Sequence, residues 1–79
     1  MQELDNIIYV LDELADDDTV PKNVKAKIAD VKAILQSDEE VSSKKNKALD
    51  KLDQLNEDNN LKTYTRSQIW DLASMLERL

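Results

Sequence analysis

The sequence predicts an all-α fold, an up-and-down four-helix bundle built from two similar helical hairpins, and three observations lead there. Residues 11–35 align without a gap on residues 52–76 at a fixed offset of 41, with Leu11/Leu52, Asp12/Asp53, Leu14/Leu55, Asp17/Asp58, Ile28/Ile69, Asp30/Asp71 and Leu35/Leu76 identical. Apolar residues recur at helical spacing through four segments, each long enough for a globular helix. Turn chemistry falls between them, in Asp and Asn clusters at 16–18 and 56–60 of a chain that has no glycine. Two copies are fewer than the ~3 repeats an open solenoid needs, so closure into one bundle, a single domain spanning 1–79, is expected.

From residue 2 to about 16, Leu4, Ile7, Ile8, Leu11, Leu14 and Ala15 make one apolar stripe, which is helix one. Pro21 suits the first turn of a helix, where its missing N–H would have no partner. Val24, Ile28, Val31, Ile34 and Leu35 then define helix two, running to about residue 36. Ser37 and Glu40 have the spacing of a capping box, with Asp38 and Glu39 where a helix dipole favours negative charge, which leaves almost no connector before helix three. Val41, Ala48, Leu49, Leu52 and Leu55 form its inner face. Thr65 and Gln68 read as a second capping box, with Thr63 the competing cap, and Ile69, Leu72, Ala73, Leu76 and Leu79 line helix four.

Composition removes whole classes of chemistry. A chain of 79 residues has little core to hollow into a pocket. The absence of cysteine and histidine excludes disulfides, thiol and imidazole nucleophiles and the usual zinc sites. A formal charge of −6 argues against a general nucleic-acid binder. No run approaches the ~20 apolar residues of a membrane span, and the N-terminal Met-Gln-Glu-Leu-Asp has no signal-peptide pattern, so a cytoplasmic location is the default.

Two stretches carry a family resemblance: LDELADDDTVPKNVK at 11–25 and YTRSQIW at 64–70. Together they resemble the paired signatures of a family of small uncharacterised archaeal helical proteins of about 80 to 90 residues, and the similarity spans nearly the whole chain. The resemblance implies an archaeal, cytoplasmic helical bundle and brings no activity with it. This sequence departs from the pattern at Leu61-Lys62, where an apolar residue followed by proline is expected, which loosens the predicted start of helix four.

Among candidate functional residues Trp70 stands out. At ~100° per residue it sits about 130° from the centre of the Ile69-Leu72-Ala73-Leu76 stripe, on a flank with Thr63, Arg66, Ser67 and Ser74. Its ring is expected to fold back over the bundle edge against helix one or three; left exposed, it would anchor a partner as a hot-spot residue. Tyr9 points away from the helix-one stripe among acids, an outward aromatic available to an interface, and Tyr64 is expected to pack or cap. Lys44, Lys47 and Lys51 share a flank of helix three, and with Lys25 and Lys32 of helix two they would form a basic strip if the bundle brings them together. The same lysines paired with neighbouring acids would be an ordinary solvated face. Asp16, Asp17 and Asp18 lack the spaced oxygens, glycine and closing glutamate of a calcium loop, so a turn-forming role is expected and no metal or cofactor is assigned. Carboxylate pairs occur here without a nucleophile or phosphate loop, so no catalytic residue is assigned and the chain is not read as an enzyme.

The expectation is therefore a protein-binding adaptor or accessory subunit, monomeric or a weak homodimer, whose partner is another protein rather than a membrane. A nucleic-acid or ribosome-associated protein using the lysine strip is the alternative. A self-associating module closed by Val10, Leu49 and Trp70 is a third.

Overall fold

Four helices form where the apolar stripes lie: α1 (Gln2–Asp16), α2 (Lys22–Leu35), α3 (Val41–Asn56) and α4 (Thr63–Glu77). The computed structural model describes residues 2–57 and 61–79, so Asp58, Asn59 and Asn60, part of the predicted Asn-rich turn and of the Asp17/Asp58 pair, lie outside the described residues. α1 packs on α2, α2 on α3, α3 on α4, and α4 returns to α1, which closes the ring expected of an up-and-down bundle.

The repeat governs the interior more completely than the surface. Sixteen described residues are buried, and they fall into eight pairs at the offset of 41: Ile7/Ala48, Leu11/Leu52, Leu14/Leu55, Val20/Leu61, Val24/Thr65, Ile28/Ile69, Val31/Leu72 and Leu35/Leu76. A shift of 41 carries α1 onto α3 and α2 onto α4, so the order of helix contacts around the ring maps onto itself. The backbone at the helix starts repeats as well. Pro21 (φ −60°, ψ 150°) and Lys62 (φ −70°, ψ 153°) are both extended caps. Their carbonyls accept the N–H groups of Lys25 and Arg66, each at 3.0 Å.

Several local expectations need correction. Pro21 precedes the first helical residue instead of lying in the first turn, because its ring holds the φ that the extended cap also uses. The Ser37–Glu40 capping box does not form. The Ser37 hydroxyl donates to the Ile34 carbonyl at 2.7 Å, satisfying the C-terminal end of α2. α3 then starts at Val41 with Glu40 as an extended cap that makes no side-chain cap bond. Residues 36–40 are thus a five-residue connector, not a near-absent one. Val41, placed at the bundle end by that longer connector, is exposed. Neither Thr65 nor Thr63 caps α4: the cap is Lys62, Thr63 opens the helix, and Thr65 is buried in the core position matching Val24. Gln68 donates instead to the Tyr64 hydroxyl one turn earlier, at 2.7 Å. Val20 and Leu61, in the two connectors that follow α1 and α3, close the core at the bundle end.

The α1–α2 turn is built by Asp17. One of its carboxylate oxygens accepts both the backbone N–H of Thr19 at 2.8 Å and the Thr19 hydroxyl at 2.7 Å. The Val20 N–H donates to the Asp17 carbonyl at 3.1 Å. This Asx geometry replaces the glycine the chain lacks, and no described non-glycine residue takes a positive φ.

Candidate interaction surface

α4 presents two different sides. Towards α1, Met75 and Arg78 line a cleft of 480 Å³ with Glu3 and Asn6. Towards α3, Arg66 is half-buried and gives a guanidinium N–H to the Asn56 carbonyl at the end of α3. Across the same pair of helices, Lys45 donates to the Glu77 carbonyl at 3.0 Å. Trp70 shares Arg66's side of α4 by helical spacing, so it stands over the outer edge of the α3–α4 seam.

The ring of Trp70 does not fold back. It is 61% exposed, which corrects the expectation that it would cover the bundle edge. Its neighbours at i−7, i−3 and i+4, Thr63, Ser67 and Ser74, are exposed too, so α4 shows solvent an uncharged stripe with an indole at its middle. Under the repeat, Trp70 corresponds to Ala29, also exposed, and Ser67 and Ser74 to exposed Ala26 and Ala33. The same backbone position therefore takes a methyl group in one hairpin and an indole in the other while the core beneath keeps its pairing. Half-buried Leu49 packs against that core on the neighbouring α3.

The structure separates the other candidates from this face. Tyr9 is 65% exposed on α1, a helix carrying five acids and no base. By helical spacing it points directly away from the α1 stripe, whereas Trp70 leans from α4 towards α3. Its phenol ionises above its ordinary range, first because it hydrogen-bonds to Glu13 and second because that carboxylate's charge opposes the phenolate. Arg66 is engaged at Asn56, so it positions α4 and borders the Trp70 surface. Tyr64 is exposed with its hydroxyl taken by Gln68; it neither packs nor caps.

The lysines are not gathered into one strip. Lys32 pairs with Asp12 of α1 at 2.7 Å, and Lys25 lies close enough to Asp17 for its charge to help hold that carboxyl below its ordinary range. Both stand on the α1 side of α2. Lys47 pairs with Glu39 in the connector; the Glu39 carboxyl is lowered by that hydrogen bond first, while desolvation acts the other way. Lys44, Lys47 and Lys51 keep to one flank of α3, with the width of α2 between them and the Lys25–Lys32 side. Among the described residues no group of three His, Cys, Asp or Glu side chains is gathered as a metal site, and no helix is long and apolar enough to cross a membrane.

Residues 1–79 match the uncharacterised protein family UPF0147. A UPF0147 protein of Archaeoglobus fulgidus is 36% identical over 76 residues, which cover 96% of this chain and 87% of the relative. One of Methanocaldococcus jannaschii is 38% identical over 77 residues, covering 96% and 83%. The relatives are archaeal. In three dimensions the chain is similar to the crystal structure of a protein of unknown function, MMP1188, with a TM-score of 0.92 and 36% identity over 98% of this chain and 89% of the other.

Proposed function

This chain belongs to the UPF0147 family of uncharacterised archaeal proteins, and on that premise we propose that it is a cytoplasmic, non-catalytic adaptor or accessory subunit that binds another protein through the α4 face centred on Trp70. One observation carries the reading: an indole 61% exposed at a position where the other hairpin has an exposed Ala29. Leaving so much aromatic surface in water brings the fold no packing. Buried in a partner, it would supply the area and rigidity of a hot-spot residue. The hydroxyls of Thr63, Ser67 and Ser74 are short enough to let a partner backbone approach and to hydrogen-bond it at the rim.

The lysine alternative has weaker support, since Lys25, Lys32 and Lys47 have acidic neighbours and no aromatic lies among them for base stacking. Affinity purification of the tagged chain from its native archaeal lysate, with and without nuclease and with Trp70→Ala beside the native chain, separates the two. A protein that survives nuclease and is lost with Trp70→Ala is the expected result. Material lost to nuclease and indifferent to Trp70 would transfer the function to the lysines.

A further inference from the structure

We infer that the two hairpins are exchangeable between copies of this chain, so that α1–α2 of one copy closes on α3–α4 of another into a hairpin-swapped dimer. The inference is independent of the adaptor reading. It starts from the core: every buried described residue in the first hairpin has a buried counterpart 41 positions on. Among the described residues the helix contacts between hairpins run along the α2–α3 and α1–α4 seams, and neither seam depends on which chain supplies the opposing hairpin. What makes the closure intramolecular is the connector at residues 36–40. Its attachments are local: the Ser37 hydroxyl on the Ile34 carbonyl within α2, the Glu40 carbonyl accepting the Lys44 N–H at the start of α3, the Ser43 hydroxyl on the Glu39 carboxylate, and the exposed Glu39–Lys47 pair. Such a surface pair contributes little in water. A swapped dimer therefore keeps the interior contacts of the monomer and differs only at the hinge.

Charge selects which hairpins pair. Residues 2–35 carry eight acids against four lysines, and residues 41–79 six acids against seven bases. Two first hairpins, each at net −4 by that count, repel, whereas a first with a second is attractive. The same core paired at random would allow three combinations. The charge difference favours the mixed one, which closes as a twofold dimer and presents Trp70 twice.

The test uses the full chain. Refolding from urea at protein concentrations of about millimolar, comparable to the effective concentration of a short-linked hairpin, is expected to yield a species of twice the 9.1 kDa monomer mass by light scattering. It persists after dilution, because release requires unfolding, and it is absent after refolding at micromolar concentration. A second variant replaces Ser37, Asp38, Glu39 and Glu40 by alanine, which favours one continuous helix through the connector and holds the hairpins of one copy apart. It is expected to be dimeric at every concentration with undiminished helix content. A native chain that is only monomeric after millimolar refolding overturns the proposal, as does a connector variant that is monomeric and helical or that loses its helices. Trp70→Ala must leave both results unchanged; a dimer lost with Trp70→Ala is a surface contact and overturns it equally.

Discussion

Trp70 and Asn56 are both residues whose side chains the fold does not use well, and they differ in what removing them does. Trp70 is largely in water, so Trp70→Ala is expected to change stability by no more than about 0.5 kcal/mol, the range of ordinary surface substitutions, while costing on the order of 2 kcal/mol or more at a partner. Urea midpoints of the two proteins check the first part. A loss of several kcal/mol would mean the indole is structural and would remove the reason for reading it as an anchor. Asn56 buries its side-chain carbonyl oxygen without a hydrogen-bond partner among the described residues. Its counterpart under the repeat is Ala15. Leaving a buried acceptor unpaired costs about 1–3 kcal/mol, and alanine also has the better helix propensity. Asn56→Ala is therefore expected to raise the thermal midpoint even though Asn56 also offers its backbone carbonyl to Arg66, because that carbonyl survives the substitution.

At the scale of single elements, chain ends and turns decide what the helices do, and there the sequence was least transparent. The stripes of α1 to α4 were legible because burial imposes a 3.6-residue period on the apolar side chains. Both predicted capping boxes failed because a local pattern does not say which helix end needs the hydroxyl: Ser37 serves the end of α2, and Thr65 is in the core. The repeat held the better signal, since the offset of 41 sets Thr65 on Val24 and Thr63 on Lys22, the residues that the structure matches. The α1–α2 turn gives a pH test. The Asp17 carboxyl is held below its ordinary range chiefly by the Thr19 hydroxyl and then by the Thr19 N–H. A lowered folded-state pKa contributes stability above the unfolded carboxylate value of about 3.9, and that contribution is lost as pH falls through the folded value. Thr19→Val is thus expected to unfold at lower urea than the native chain at neutral pH. The two midpoints should converge as pH falls through the folded value of the Asp17 carboxyl, below which it is protonated in both states. A difference that persists in acid would assign the effect to packing by Thr19 and not to its hydrogen bond.

For the whole molecule, the paired residues of both hairpins form one hydrophobic core. Leu11 and Leu52 are identical, fully buried counterparts in α1 and α3. Each sits in a ring in which α1 touches α2 and α4 and α3 touches α2 and α4, so each hairpin's apolar face is covered only by the other. Truncating either leucine to alanine is expected to cost about 2–5 kcal/mol, a large share of the roughly 4–12 kcal/mol typical for a chain of this length. Because the environments repeat, the two losses should agree closely, and both variants should unfold in one transition with the denaturant dependence of the native chain. The surface does not share this symmetry: Trp70 stands opposite Ala29, Glu3 opposite Lys44 and Val10 opposite Lys51. Identity along the repeat begins at residue 11, although the buried pairs reach back to Ile7/Ala48. What the interior preserves is the pattern of burial, eight pairs at the offset of 41, and not the identity of every residue. Two separated transitions in either variant, or one leucine costing several times the other, would mean that one hairpin folds on its own and that the shared core is not what joins them.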